Sequence, residues 1–214
     1  MKVLNYGSLN VDYVYSVDHI IVGGETQHSS KMEIFSGGKG LNQSIALAKA
    51  GVPVYHAGIV GNDGDILLDA CKEAGVNTKY IRRLPVKGGH TMIQVDKNAQ
   101  NCIILYGGTN QMQTREFVDE VLADFGEGDY LILQNEINML DYIIDQAYEK
   151  KMKIVMNPSP FDDKLNSCDL GKVYLFLVNE IEGEQITGCK DKDQILDALA
   201  EKYPNARFVL TLGS

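Results

Sequence analysis

The stretch EIFSGGKGLNQS, residues 33–44, is the most informative in the sequence, because three glycines, a lysine and an asparagine stand at the start of a helix-like run. Glycine is a poor helix former, so this density needs a reason. Without Cβ atoms, backbone N–H groups can approach a ligand closely, and a helix N-terminus favours negative charge. Lys39 adds a mobile donor, and Asn42 lies four residues after Gly38, so both can face one pocket. The stretch predicts a site for a hydroxyl-rich or anionic ligand, with a tight structural turn as the alternative.

Two common glycine motifs do not match this stretch. A Walker A loop requires GxxxxGK[ST], and a dinucleotide-binding fingerprint requires GxGxxG. The first strand is followed by SLNVDYVY and hairpin-like sequence instead of a helix. A Rossmann dehydrogenase is therefore disfavoured.

Outward from the glycines, short apolar strand-like runs alternate with amphipathic helix-like runs. The strand-like runs are KVLNYG, VYHAGIVG, DYLILQ, KIVMN, LFLVN and RFVLTLG. The helix-like runs are LNQSIALAKAG, GDILLDACKEAG, TREFVDEVLADFG, MLDYIIDQAYEKK and KDQILDALAEKY, with apolar residues at three- and four-residue spacings. This alternation predicts an α/β domain with a mainly parallel sheet covered on both faces.

Two segments break the alternation, residues 13–35 and residues 89–108. Both have near-alternating polarity without a helix, which is typical of hairpins. We expect them to pair into a small separate sheet that acts as a lid over the glycine-rich site. The alternative is that they are edge strands of the main sheet.

Polar residues follow the strand-like runs at several places. Asn10 and Asp12 are one residue apart in GSLNVD, which we expect to end the first strand, so both side chains point to one side of an extended segment, where they can bind sugar hydroxyls. Asp12 can alternatively be a turn residue. Glu136 follows another apolar strand. Asn179 and Glu182, three apart at a strand-to-helix junction, can hold a hydrated Mg²⁺ near phosphates, or can simply form a helix N-terminus with favourable acids.

Composition limits the other function classes. The chain has 214 residues with a net charge of −9, 44% hydrophobic and 23% charged residues, and no Lys/Arg cluster. A nucleic-acid or anionic-membrane surface is therefore not expected. The four cysteines and four histidines have no zinc-ligand spacing, and the sequence has no signal-peptide pattern, so we expect a protein of the reducing cytoplasm.

With these motifs in order, the sequence resembles a ribokinase-like sugar kinase of the PfkB carbohydrate kinase family over residues 1–214. The family's first signature matches at every spacing, at Gly37, Gly38, Lys39, Gly40, Asn42, Ser44, Gly51 and Gly61. The segments GSLNVD, GGET, GGTN, QNE, NPSP, NEIEGE and TLGS follow in family order. The resemblance implies a three-layer αβα fold with a mainly parallel sheet and a small β-sheet lid, which in such kinases also forms a homodimer clasp.

The resemblance also implies roles for individual residues. The sugar would be bound by Asn10, Asp12, Gly38, Lys39, Asn42 and Glu136. Asn179 and Glu182 match the NxxE motif near Mg²⁺ and the phosphates, with Glu182 the metal-side residue, and Thr211 and Gly213 would begin the ATP site. The implied activity is ATP-dependent phosphorylation of a primary hydroxyl, with ribose the expected substrate, and with a monovalent cation such as K⁺ as a further cofactor.

One departure from the family pattern affects catalysis. The second signature, a Gly-Ala-Gly-Asp run whose aspartate is the catalytic base, does not occur in the 214 residues. We expect the chain to be the N-terminal portion of a longer protein, with the base, most of the adenine pocket and the cation site beyond Ser214. We also expect the 214 residues alone to bind sugar without phosphorylating it. The alternatives are a kinase for another furanose, a nucleoside or a sugar phosphate, and a non-catalytic sugar-binding pseudokinase.

Overall fold

The computed structural model describes residues 1–213 and contains eleven strands in two sheets. In chain order the strands are β1 (Val3–Tyr6), β2 (Asn10–Ser16), β3 (Lys31–Gly37), β4 (Val54–Val60), β5 (Asn77–Arg83), β6 (Gly89–Val95), β7 (Asn101–Tyr106), β8 (Tyr130–Gln134), β9 (Lys153–Asn157), β10 (Leu175–Asn179) and β11 (Arg207–Thr211). The larger sheet has seven strands in the order β11-β10-β9-β8-β1-β4-β5, and every neighbouring pair is parallel. This confirms the predicted parallel α/β architecture.

Six α-helices connect these strands and cover both faces of the larger sheet. They are α1 (Lys39–Lys49), α2 (Asp65–Ala74), α3 (Arg115–Leu122), α4 (Leu140–Glu149), α5 (Glu180–Thr187) and α6 (Lys192–Lys202). Three short 3-10 helices span Gly108–Gln111, Asp163–Ser167 and Leu170–Lys172. Successive residues of a strand point to opposite faces, so each strand contributes to two apolar cores.

The two cores lie on opposite faces of the larger sheet. Val3 of β1 packs in a cluster with residues of α1 and α2, among them Leu41 and Leu67. Leu4, the next residue of β1, packs instead in the cluster that contains Phe117 of α3 and the buried residues of α4 and α6. The strands are therefore sandwiched between two helix layers, which is the three-layer arrangement expected from the sequence.

The smaller sheet is separate and has four strands in the order β3-β2-β6-β7. β2 pairs with β3 and β6 with β7 antiparallel, whereas β2 and β6 are parallel. Both hairpin-like segments of the sequence contribute to it, so the prediction of a small sheet apart from the main layer is confirmed. Residues 17–30 contain no strand and form the long connection between β2 and β3.

Two details differ from the sequence interpretation. Asn10 and Asp12 do not end the first strand; β1 ends at Tyr6, and both residues lie on β2 of the smaller sheet. The residues between the two strands carry the chain from one sheet to the other. The sequence interpretation also missed β5, an edge strand with polar residues that pairs with β4 on one side only.

Among residues 1–213, no helix combines the length and the apolar character needed to cross a membrane.

Candidate functional site

The site lies where the strand order of the larger sheet reverses. From β1 the chain adds β4 and β5 on one side, whereas β8 to β11 extend the sheet on the other side. In open parallel sheets, the crevice at the carboxyl ends of two such strands is the usual ligand site. Here the ends of β1 and β8 bring the segments after Tyr6 and after Gln134 together.

One cavity of about 330 Å³ occupies this crevice, between the two sheets. The six residues that the sequence analysis assigned to sugar binding all line it: Asn10, Asp12, Gly38, Lys39, Asn42 and Glu136. The smaller sheet contributes Thr91, Ile93, Ile103 and Leu105 from above, and Pro160 completes the lining. The smaller sheet therefore has the position that a lid requires. The binding roles of the six residues stay predictions.

Glycine is required at two positions of the loop for different reasons. Gly38, the residue before α1, has a φ of 98°, in the region that side-chain-bearing residues rarely adopt. A Cβ atom at Gly40 would lie 2.5 Å from the backbone nitrogen of Ser8, so a side chain would collide with the segment after β1. The loop can therefore approach β1 only with glycine here, and this places Lys39 in the cavity.

An ion pair joins the two halves of the crevice. The Lys39 Nζ donates to Glu136 Oε1 at 2.8 Å, and the Lys39 backbone N–H donates to Glu136 Oε2 at 3.0 Å. The hydroxyl of Ser8 also donates to Glu136 Oε2. Only 7% of the Glu136 side chain is exposed, so these donors compensate a nearly buried charge. Lys39 is itself 40% exposed and lines the cavity, so its ammonium group keeps donors for a ligand.

A second hydrogen-bonded group orients Asn10. The Nδ2 of Asn110 donates to Asn10 Oδ1 at 2.7 Å, and Asn110 Oδ1 accepts from the Leu9 backbone N–H at 3.0 Å. This bond fixes the orientation of the Asn10 amide and leaves its two N–H donors available to a ligand.

Asp12 lies beside Asn10 on β2 and offers the opposite chemistry. The Thr91 hydroxyl donates to Asp12 Oδ1 at 2.7 Å, which leaves Oδ2 available as an acceptor. Burial raises the pKa of the Asp12 carboxyl, and the nearby negative charge of Glu136 adds to this increase, whereas the Thr91 hydrogen bond opposes it. The cavity thus combines two carboxylates with amide and ammonium donors, an arrangement suited to a ligand with adjacent hydroxyl groups.

The remaining predicted residues lie at the same carboxyl edge but outside this cavity. Asn179 and Thr211 are register partners on β10 and β11. Because β9 separates β8 from β10, Asn179 is roughly 10 Å from the crevice at the usual strand spacing, and Thr211 on β11 is one strand farther. Gly213 follows β11, and its N–H donates to Glu180 Oε2 at 3.2 Å.

Asn179 and Glu182 form a capping box at the start of α5. The Asn179 Oδ1 accepts from the Glu182 N–H at 2.8 Å, and the Glu182 Oε2 accepts from the Asn179 N–H at 3.0 Å. The structure therefore agrees with the alternative interpretation, in which these two residues form the N-terminus of a helix. One carboxylate oxygen of Glu182 remains outside the box, so an additional role at phosphates or Mg²⁺ stays a prediction. Within residues 1–213, no group of three or more His, Cys, Asp or Glu side chains has an arrangement that could hold a metal ion.

Comparison with known proteins agrees with this geometry. The model of the pfkB family carbohydrate kinases matches residues 1–214. The chain belongs to the pfkB family of carbohydrate kinases.

Several family members are similar over most of this chain. The ribokinase of Haemophilus influenzae is 31% identical over 88% of this chain and 63% of its own length. The ribokinase of Staphylococcus aureus is 31% identical over 99% of this chain and 70% of its own length. A deoxyribokinase of Salmonella typhi is 28% identical, over 88% of this chain and 63% of its own length. The chain therefore spans about two thirds of the length of these pfkB relatives.

Solved structures of family members share the fold. The Arabidopsis thaliana ribokinase, complexed with ribose and ATP, superposes with a TM-score of 0.85 at 24% identity, covering 100% of this chain and 72% of that chain. The Cryptococcus neoformans ribokinase, in complex with ADP, gives a TM-score of 0.80 at 26% identity, covering 99% of this chain and 73% of that chain.

Sequence reasoning missed several residues of this pfkB site. Thr91 and Asn110 contact predicted residues directly, yet they lie about 80 and 100 positions away from them in the chain. Asn110 lies within GGTN, one of the segments that carried the family resemblance, so a signal for it was present. Ser8 likewise lies within GSLNVD, another of those segments, whereas Thr91 had no signal of its own, because its importance arises only from its contact with Asp12.

Proposed function

We propose that the protein takes part in ATP-dependent phosphorylation of a sugar at its primary hydroxyl, and that the sugar is ribose. The observation that carries this proposal is the convergence of Asn10, Asp12, Lys39 and Glu136 in one cavity beneath the smaller sheet. Phosphoryl transfer depends mostly on positioning and charge stabilisation, and these side chains suit the positioning of a polyol.

Each polar group in the cavity has capacity left for a hydroxyl. Glu136 accepts three hydrogen bonds, and a carboxylate can accept about four. Asp12 keeps Oδ2, and Asn10 keeps its amide donors. Adjacent ring hydroxyls can therefore donate to the carboxylates while they accept from Asn10 and Lys39. A sugar lacking one of these hydroxyls would leave a buried polar group without a partner, which is costly.

The smaller sheet would act as the lid. Ile93, Ile103 and Leu105 line the cavity with apolar surface, which suits the exclusion of water from a site where water would otherwise accept the phosphate. The ATP and ADP complexes of the structural relatives support the nucleotide as phosphoryl donor. On this chain, Glu182 would hold Mg²⁺ through its free carboxylate oxygen, and the ion would neutralise phosphate charge. The residues beside the phosphates would be Asn179, Thr211 and Gly213.

The substrate proposal is tested by calorimetric titration of this chain with ribose and 2-deoxyribose, and by phosphorylation assays on the intact protein. We expect ribose to bind at least about tenfold more tightly, because the deoxy sugar leaves a partner unpaired. Equal or tighter binding of 2-deoxyribose would overturn ribose as the substrate. Binding by the intact protein without turnover would instead indicate a non-catalytic sugar-binding pseudokinase.

A second candidate, a kinase for a nucleoside or another substituted furanose, has its own supporting observation. A further cavity of about 150 Å³ adjoins the first and shares Asn10, Leu105, Glu136 and Pro160 with it. Its other lining residues include Gln111 and Asn135. A ring substituent on the sugar fits such an extension. A competition titration compares the affinities for uridine and ribose. If uridine binds more tightly than ribose, this candidate replaces the first.

We further propose a homodimer formed through the smaller sheet, in the cytoplasm. Ile34, Tyr13, Met92 and Ile104 are in register across all four strands of that sheet. Three of them are apolar and 46–61% exposed. This row lies on the face away from the sugar cavity, because the cavity is lined by the alternate residues Ile93 and Ile103.

A further inference from the structure

A cluster of buried polar side chains lies directly beneath the glycine loop. Asn5 of β1, Ser44 of α1 and His56 of β4 are each 0% exposed and lie where their three elements pack together. Buried polar groups need hydrogen-bond partners, and apolar residues of similar volume would fill this space equally well. The cluster therefore needs an explanation beyond packing.

The hydrogen bonds of the cluster run in one direction. Asn5 Nδ2 donates to the Gly40 carbonyl at 2.6 Å and to Ser44 Oγ at 2.8 Å. Ser44 Oγ lies 2.7 Å from His56 Nδ1, and His56 Nε2 lies 3.3 Å from the Gly7 carbonyl. A carbonyl can only accept, so Nε2 carries the imidazole hydrogen and Nδ1 accepts from the Ser44 hydroxyl.

Gln134 at the end of β8 fixes the orientation of the Asn5 amide. Gln134 Nε2 donates to Asn5 Oδ1 at 2.8 Å and to Gln43 Oε1 at 2.7 Å. The oxygen of Asn5 therefore faces β8, and its two N–H groups face α1. Both side-chain N–H groups of Asn5 are therefore used. If the amide were flipped, its oxygen would face the Gly40 carbonyl and the Ser44 oxygen, which are both acceptors here.

The points at which this chain of bonds reaches α1 are close to the sugar cavity. Gly40 directly follows Lys39, and Ser44 is two residues after Asn42; Lys39 and Asn42 both line the cavity. The Gly40 N–H donates to Ser8 Oγ at 3.2 Å, so the same turn is also tied to the segment that contacts Glu136.

We propose that Asn5, Ser44 and His56 are positioning residues that fix the N-terminal turns of α1, residues 39–44, against β1 and β4, and thereby set Lys39 and Asn42 for the sugar. The link to the sugar rests on the proposed function, whereas the fixing of the turns does not. Removing the Ser44 hydroxyl leaves His56 Nδ1 and one N–H of Asn5 without partners, which releases α1 at Ser44 and leaves Asn5 bonded to it only through the Gly40 carbonyl.

The test compares Ser44→Ala with Val121→Ala, a fully buried apolar truncation on α3 in the opposite core. We expect Ser44→Ala to weaken ribose binding about tenfold, and to speed amide hydrogen exchange of residues 38–44 by a similar factor. Val121→Ala should lower the free energy of unfolding but leave both the ribose affinity and the exchange of residues 38–44 unchanged. Ser44→Thr, which restores the hydroxyl, should recover most of the affinity.

The outcomes separate the two proposals. If Ser44→Ala loses stability like Val121→Ala, with unchanged ribose affinity and unchanged exchange of residues 38–44, the cluster is purely structural and the inference is wrong. If the unsubstituted chain does not bind ribose, the proposed function fails, and the exchange comparison alone still decides whether the cluster holds the turn. His56→Phe is the second variant should Ser44→Ala fail to fold, and unchanged exchange in it would equally overturn the inference.

Discussion

At the residue scale, the site depends on two carboxylates held in different ways. Glu136 is paired with Lys39 and nearly buried, whereas Asp12 accepts a side-chain hydrogen bond from Thr91. Asp12 therefore has more capacity left for ligand hydroxyls, while Glu136 serves partly to place Lys39. The two carboxylates should respond differently to substitution and to pH.

Asp12→Ala should raise the dissociation constant for ribose at least about tenfold, because a hydrogen bond to a charged group contributes roughly 1.5–3 kcal/mol. Asp69→Ala, an exposed position on α2, is the matched control. Calorimetric titration of both variants measures the effect. An unchanged affinity in Asp12→Ala would mean that this carboxylate is not a sugar ligand.

Ribose affinity should also fall on acidification at a higher pH than an ordinary aspartate would give. The pKa of Asp12 is raised, mainly by burial, so its ionised form, which accepts the hydroxyls, is lost earlier as pH decreases. Titrations across the acidic range measure this, with Asp12→Asn as the reference. A decline that persists unaltered in Asp12→Asn would assign the pH dependence to another group.

At the element scale, β4 carries a histidine whose protonation opposes folding. Burial lowers the pKa of His56 from 6.5 to about 4. Between these values the unfolded chain binds a proton that the folded chain excludes, so stability decreases as pH falls through this window. The difference corresponds to a loss of about 3 kcal/mol by pH 4.

We therefore expect His56→Phe to flatten the pH dependence of the free energy of unfolding between about pH 6.5 and 4. His28→Gln, at an exposed position in the β2–β3 connection, should keep most of the slope of the unsubstituted chain. Denaturant unfolding at several pH values measures this. An identical slope in His56→Phe would show that other groups dominate the acid response.

The start of α5 offers a second test at this scale. Asn179→Ala removes one half of the capping box and should cost about 1 kcal/mol of stability, whereas Asn179→Ser retains a capping oxygen and should cost less. If both variants bind ATP·Mg²⁺ as the unsubstituted protein does, Asn179 is only a helix cap and its proposed role at the nucleotide is wrong.

At the scale of the whole molecule, the smaller sheet presents apolar side chains on both of its faces. One face lines the cavity that we propose for the sugar, and the other exposes Met92 and Ile104, which are 49% and 61% exposed. A partner on the outer face would bury this surface and hold the sheet in place over the cavity. Assembly and sugar binding would then be coupled through one element.

The double substitution Met92→Glu/Ile104→Glu should therefore convert a dimer into a monomer, because two carboxylates would have to be buried at the interface. Light scattering after size-exclusion chromatography measures the mass. Ile181→Glu, at an equally exposed apolar position on α5, is the control and should not change it. A monomer before any substitution would overturn the proposed dimer.

Much of the fold follows from local sequence patterns. Alternating apolar strands and amphipathic helices predicted the parallel sheet and its two helix layers, since periodicity reports directly which side of an element is buried. The glycine signature and the carboxyl ends of the strands predicted six residues that converge in one cavity. Of these six, only Glu136 follows the carboxyl end of a parallel strand; Asn10 and Asp12 reach the cavity from β2 of the smaller sheet, and the other three lie at the start of α1.

Other features were decided only by the tertiary structure, because they arise from contacts between distant residues. The strand β5 is stabilised by pairing with β4 and not by its own polar sequence, and Asn10 and Asp12 belong to the smaller sheet because β2 pairs there over its full length. Asn5, Ser44 and His56 have no common sequence pattern, and they become one cluster only when β1, α1 and β4 pack together. The sequence by itself determined most of the elements and the polar chemistry of the residues that follow them. Which polar groups are buried against one another depended on the packing, since a hydrogen bond between distant residues is specified by both partners and their separation in space.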